Sequence, residues 1–316
     1  MSVIRRRGLA MAASSAGLAT PTLPNVARLS TAAASPETQI FSDEVSLHCS
    51  HGIAVVTFTA THGHLSWGTM RQEHRWNPNF TKAFSEALDA VEHRQDVQAL
   101  VVTNEGKYWS NGMDLKYLDT HSEDAVKEHV TNVNSLLIRL LTFPIPTIAA
   151  IRGHWCAVGG MMGLAFDYRV MSTDRGFFFI PGVDLGLVYA PVQVHLMKAK
   201  LPVDMQREVI IFNRKRWQAS ELMTRNVVEA AVPASEVMPR AMTLAQELRA
   251  KGKGPARSVL GKLKTMVYRQ VVDSLELGGD MLLDGRTEGV DRAAPPSVTA
   301  GTGFESEIRA GARSKL

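Results

Sequence analysis

The chain is 316 residues long, 45% hydrophobic and 21% charged, a globular balance that excludes a disordered, collagen-like or coiled-coil chain. Its formal charge of +4 resides in residues 1–36, which carry Arg5, Arg6, Arg7 and Arg28 and no acid; the remainder has 31 basic and 31 acidic residues and no electrostatic case for a nucleic-acid partner. Cys49 and Cys156 are the only cysteines, too few for a disulfide framework or a zinc cluster, and no apolar run reaches the roughly 20 residues of a membrane span.

Residues 1–36 have the Arg-, Ser- and Ala-rich composition of a mitochondrial transit peptide and read as a disordered targeting leader. The core is expected over 37–215. Residues 45–59 read as two strands broken at His51-Gly52. Asn77-Pro78 supplies an N-cap and first helical position for an amphipathic helix through Phe80, Phe84, Leu88 and Val91. A buried strand follows over 98–103. Thr120 and Glu123 are spaced as a capping box for a long helix that runs to Leu141 and stops before Pro144. Residues 147–151 form a strand, 159–165 a short helix and 168–172 another strand. Strands alternating with helices imply an α/β core. Residues 216–284 read as a helical C-terminal region, with one amphipathic face over 235–250. Residues 285–316 read as a flexible tail ending in Ser314-Lys315-Leu316, the tripeptide bound by the peroxisomal import receptor. The two ends thus imply the peroxisome, the mitochondrial matrix, or both.

Several chemistries have no motif: there is no G-x-S-x-G, H-E-x-x-H, C-x-x-C or phosphate loop. Two segments do carry a chemical pattern. KYWSNGMDLK, residues 107–116, follows a buried strand; PTIAAIRGHWCAVGG, residues 146–160, runs from a strand into a helix start. Each places a backbone N–H beside a glycine at a strand-to-helix corner. Two such groups aimed at one point make an oxyanion hole, and the second helix adds the positive end of its dipole. The donors would be Met113 and Val158, with Gly112 and Gly159 permitting close approach.

The segments KYWSNGMDLKYL, IPTIAAIRGHW…GG…AFDYRVM and DRGFFFIPGVDLGL, with EHRWNP before them, resemble the enoyl-CoA hydratase/isomerase (crotonase) superfamily, and within it the plant-type, peroxisomal Δ3,Δ2-enoyl-CoA isomerases. The resemblance spans residues 45–232. It implies an α/β fold, a ClpP-like spiral of β-β-α units with a helical C-terminal trimerisation region, as a homotrimer or dimer of trimers. It implies an acyl-CoA or enoyl-CoA thioester as substrate of fatty-acid β-oxidation, with no separate cofactor and no metal, its carbonyl oxygen held by Met113 and Val158. Asp114, Arg75 and Lys116 are then candidate substrate contacts, the two cations for the CoA phosphates or adenine.

The reaction implied is a double-bond shift from C3 to C2. A base takes a proton from C2, the hole holds the enolate, and the proton returns at C4. The family's two carboxylates fall on Met161 and Gly182. Loss of the first is the isomerase pattern and argues against hydration, but the second is the isomerase's own base. Three readings follow: a relocated base, for which Asp184, Tyr189, His154 and Asp114 are candidates; an acyl-CoA-binding pseudoenzyme or mixed-trimer partner; or a thioester hydrolase.

Overall fold

The structure, a computed structural model, describes residues 37–59 and 73–277. The leader, residues 60–72 and the terminal tripeptide lie outside them. The strands are β1 (Glu37–Ser42), β2 (Val45–Ser50), β3 (Ile53–Phe58), β4 (Ala99–Asn104), β5 (Tyr108–Ser110), β6 (Thr147–Ile151), β7 (His154–Cys156), β8 (Tyr168–Ser172), β9 (Phe178–Phe179) and β10 (Ala230–Val232). The helices are α1 (Pro78–His93), α2 (Leu115–Thr120), α3 (Glu123–Leu141), α4 (Val158–Ala165), α5 (Pro191–Lys200), α6 (Val203–Gln206), α7 (Ala219–Thr224), α8 (Ala234–Leu248), α9 (Pro255–Val267) and α10 (Arg269–Asp273). A 3-10 turn covers Val183–Leu185 and a π-helical turn Arg207–Ile211.

A seven-stranded sheet has the order β1-β2-β3-β4-β6-β8-β10, antiparallel from β1 to β3 and parallel beyond; a second, three-stranded parallel sheet is β5-β7-β9. The chain visits the large sheet, then the small one, then a helix, and repeats this through β4-β5, β6-β7 and β8-β9. These are the expected β-β-α units. The small sheet was not legible in sequence because its strands are two or three residues long, below the length at which alternation registers.

Burial on both faces explains the continuous apolar runs of β4 and β6. Leu100, Val102, Ala149 and Ile151 face a core shared with α1, α3 and α4. Ala99, Val101, Ile148 and Ala150 face Val237, Ala241, Leu244 and Ala245 of α8. Strand β10 and helix α8, both within 216–284, are therefore part of the sheet's packing.

Two helix starts differ in kind. Asn77 caps α1 as expected, accepting from Phe80 N at 2.9 Å. Thr120 does not cap α3: it ends α2, its hydroxyl donating to Lys116 O at 2.9 Å, and Ser122 is the cap, accepting from Ala125 N at 3.4 Å. The interposed helix α2 took up the residue that the capping-box spacing had assigned to α3. Among the described residues no helix is long and apolar enough to cross a membrane.

A charged cluster ties the C-terminal helices to this core. Lys264 of α9, 7% exposed, donates to Phe143 O, Ile145 O and Asp167 Oδ2 at 2.9, 3.1 and 2.6 Å. Lys200 of α5 donates to Phe166 O at 3.1 Å and lies 4.7 Å over the Tyr268 ring. Burial, with Arg169 and Lys264 nearby, pushes the Lys200 ammonium down to about 7 from 10.5. Between those values the unfolded chain holds a proton that the folded chain has released, so this group makes stability rise with pH, by at most about 1.4 kcal/mol per pH unit. Urea unfolding at about pH 7 and 8.5 should show the wild type gaining on Lys200→Met; a constant difference would contradict the assignment.

Candidate active site

The first candidate segment leaves β5 and turns at Gly112, whose φ of +82° suits glycine. It then runs beside Trp76 as a parallel bridge: Trp76 N donates to Gly112 O at 2.8 Å and Asp114 N to Trp76 O at 3.0 Å. Successive N–H groups of an extended chain point to opposite sides, so the Met113 N–H points away from Trp76. Asp114 is the N-cap of α2, accepting from Lys116 N at 3.1 Å and Tyr117 N at 3.4 Å. Its carboxylate holds the loop.

The second segment leaves β7, passes through Ala157 and enters α4. As the first helical residue, Val158 has no intrahelical acceptor for its N–H. Ala157 holds φ 51° and ψ −132°, a region costly for any residue with a side chain. The same conformation precedes α9 at φ 53° and ψ −137°, where the residue is Gly254.

The two segments touch through their glycines. A Cβ on Gly112 would lie 2.7 Å from the Ala157 methyl and 3.5 Å from Val158 N; a Cβ on Gly159 would lie 2.6 Å from the Ser110 side chain. The amide-bearing corners expected from sequence are thus neighbours. Below them runs a polar chain that sequence reading did not find. Cys156 Sγ donates to Asn111 Oδ1 at 3.2 Å, Asn111 Nδ2 to Glu73 Oε2 at 3.1 Å, and Arg75 Nε to Glu73 Oε2 at 2.5 Å; Arg75 Nη1 also reaches Met113 O at 3.4 Å. Burial pushes the Cys156 thiol up to about 12, so it serves as a donor and not as a nucleophile. Only tertiary pairing joins Glu73 to Asn111, and no local motif announces it.

The stretch after β9 adjoins the second corner. Ala157 N donates to Phe179 O at 3.0 Å, and Gly182 follows three residues on. Gly182 is buried, and its missing side chain has a specific cause. A Cβ there would lie 2.1 Å from the Tyr189 hydroxyl and 2.2 Å from its Cζ. The hydroxyl accepts from Gly182 N at 2.6 Å and donates to Ile180 O at 3.1 Å. A phenol therefore occupies the volume into which a residue-182 side chain would grow.

The remaining candidates fall as follows. Asp184 is exposed, and its Oδ2 accepts from Asn213 Nδ2 at 2.5 Å. Burial pushes Tyr189 up to about 12, so it stays protonated. His154 stacks on Phe177 at 5.4 Å between ring centroids, and burial with nearby Lys107, Arg216 and Arg175 pushes it down to about 4; it is neutral and a feeble base at neutral pH. Met161 is buried in α4 at 1% exposure. Arg75 is paired with Glu73, and Lys116 is exposed on α2. Among the described residues no group of His, Cys, Asp or Glu is placed to hold a metal.

A family model described as enoyl-CoA hydratase/isomerase matches residues 73–287. The enoyl-CoA delta isomerase 3 of Arabidopsis thaliana is 30% identical over 189 residues, covering 58% of this chain and 79% of that protein. The peroxisomal enoyl-CoA delta isomerase 1 of the same plant is 27% identical over 203 residues, 63% and 83% of the two. Among solved structures, an enoyl-CoA hydratase/isomerase family protein from Pseudomonas syringae superposes with a TM-score of 0.66 at 25% identity, over 78% of this chain and 99% of that one.

The glycine contact yields a measurable coupling. Gly112→Ala meets both a positive φ and the Ala157 methyl and should cost about 2–4 kcal/mol. Ala157→Gly relieves its own backbone strain and also removes the clash, so chemical denaturation should show the double variant more stable, by about 1 kcal/mol or more, than the sum of the two single changes predicts. Strict additivity would mean that the two residues do not touch.

Proposed function

The chain belongs to the enoyl-CoA hydratase/isomerase family, and we propose that within it the protein is an enoyl-CoA isomerase-type acyl-CoA enzyme of fatty-acid β-oxidation. The observation that carries this reading is the contact between the two glycine-bearing corners, with Val158 N 3.5 Å from the point where a Gly112 Cβ would stand. A thioester carbonyl oxygen between them would accept from Met113 N–H and Val158 N–H. As a proton leaves C2, negative charge grows on that oxygen, where both donors and the N-terminus of α4 favour it. Main-chain donors are fixed in advance, so little reorganisation is needed.

The proton transfer is where this chain departs from the usual arrangement. Position 182 supplies no acid, and the protonated Tyr189 phenol that fills its place is a donor, unable to take a proton at neutral pH. Isomerisation by this chain is therefore expected to lean on the hole and to be slow, because a positioned base is worth about 10²–10⁴-fold. The same phenol favours a second reading, an acyl-CoA-binding partner in a mixed trimer. Trimerisation through the C-terminal helices accords with Val259, Leu263, Met266 and Val267, a solvent-facing apolar stripe on α9 exposed by 53–73%. Ser314-Lys315-Leu316 and the peroxisomal isomerase relative support peroxisomal targeting, and the Arg-rich leader adds the mitochondrial matrix as the alternative address.

Two measurements test these readings. An acyl-CoA should bind about 10–100-fold more tightly than the S-alkyl-CoA thioether of equal chain length, which lacks the carbonyl oxygen and loses two hydrogen bonds; equal affinities would remove the hole. In an assay with a 3-enoyl-CoA, Gly182→Glu alone should gain nothing, because Tyr189 blocks the new side chain. Gly182→Glu with Tyr189→Ala should gain about 10²-fold or more. A full gain in the single variant would show that the phenol is no obstacle.

A further inference from the structure

A cleft of about 450 Å³ lies between α1 and α3, with Tyr117 of α2 at one side. None of its lining residues belongs to residues 111–114 or 157–160, so it is separate from the two corners described above. Its volume is within the range of small-molecule sites.

Two buried polar side chains, Thr81 and His129, stand on its wall. Thr81 is 5% exposed, and its hydroxyl has no hydrogen-bond partner. Helical threonines elsewhere in this chain avoid that state: Thr120, Thr131, Thr142, Thr224, Thr243 and Thr265 each donate to the carbonyl four residues back, at 2.8–3.0 Å. An unpaired buried hydroxyl is destabilising, because its lost hydration is not repaid. His129 is 3% exposed, and its Nε2 lies 3.1 Å from Trp76 O. A carbonyl only accepts, so Nε2 carries the proton. Burial lowers the pKa of the ring, which leaves Nδ1 of the neutral imidazole as an acceptor.

The remaining chemistry of the wall narrows the ligand. Leu136, Pro78 and the Tyr117 ring are apolar, while Asn132 adds an amide. The cations at the rim lie beside acids: Arg139 pairs with Asp89 at 2.6 Å and with Glu92, and Lys82, its side chain 77% exposed, lies 3.7 Å from Glu86. Among the described residues of the lining each cation thus has an acid beside it, and the exposed Glu128 adds a further carboxylate that disfavours an anion. We propose that this cleft is a binding site for a small uncharged molecule bearing hydroxyl or amide groups on an apolar body, with a donor to His129 Nδ1 and a partner for the Thr81 hydroxyl. The site stands one hydrogen bond from the first corner, since Trp76 O accepts from both His129 and Asp114 N.

A matched six-carbon series tests this on the full chain, with hexanamide and 1,2-hexanediol as uncharged probes and hexanoate as the anion. The readout is the ring ¹⁵N signal of His129. The uncharged probes should move it saturably, and hexanoate should bind about tenfold more weakly. Thr81→Val, which keeps the shape and drops the hydroxyl, should melt no lower than the wild type without ligand, yet bind the uncharged probes about tenfold more weakly. An unmoved His129 signal, equal binding of all three probes, or undiminished binding by Thr81→Val would overturn the proposal. None of these readouts uses acyl-CoA, so they stand apart from any failure of the thioester reading.

Discussion

The close approach of two backbone corners is the constraint on which the rest of this structure depends. Gly112 and Gly159 lack side chains because the opposing segment occupies the space, with the Ala157 methyl and Ser110 each within 2.7 Å of where a Cβ would stand. That approach requires β5 and β7 to pair, and those strands exist only because β4 and β6 deliver the chain to them. The seven-stranded sheet, the three-stranded sheet and the helix starts therefore act as one positioning device. Ala157 concentrates the cost: the backbone turns through a glycine-like conformation with a methyl group in place, and the surrounding packing sustains it.

Helix α4 is polarised at both ends. Its first N–H groups open toward the corner with Met113. At its other end Arg169 Nη1 donates to Leu164 O at 3.3 Å and Phe166 O at 2.8 Å, and Lys200 Nζ reaches the same Phe166 O. The Arg169 guanidinium at this C-terminus complements the helix dipole, and eight residues span only about 12 Å. Asp167 and Glu229 offset part of that charge, through Lys264 at 2.6 Å and Arg169 at 3.3 Å. The cluster that fastens the C-terminal helices thus also anchors the helix whose N-terminus faces the Gly112 corner.

Tyr189 changes the meaning of Gly182. By the family resemblance, a glycine at that position stands where an acid is expected. In the folded protein it is half of a pair, because the phenol seven residues on fills the vacated volume and satisfies both Gly182 N and Ile180 O. The group that fills this volume keeps its own proton. Desolvation sets that direction: removing water disfavours the phenolate.

The sequence by itself determined the fold class, the order of the long elements and the two amide-bearing corners, because periodic burial and glycine at strand ends are written locally. It also located Asn77 as a cap and Gly112 as a turn. It misassigned Thr120, since capping-box spacing cannot register a six-residue helix placed in between, and it passed over strands too short to alternate. Tertiary structure alone decided the contact of Gly112 with Ala157, the filling of position 182 by Tyr189, the solvent-side partner of Asp184 and the polar chain from Cys156 to Arg75. Each joins residues through space, by excluded volume or hydrogen bonding between separate segments, and such pairing leaves no trace in local spacing.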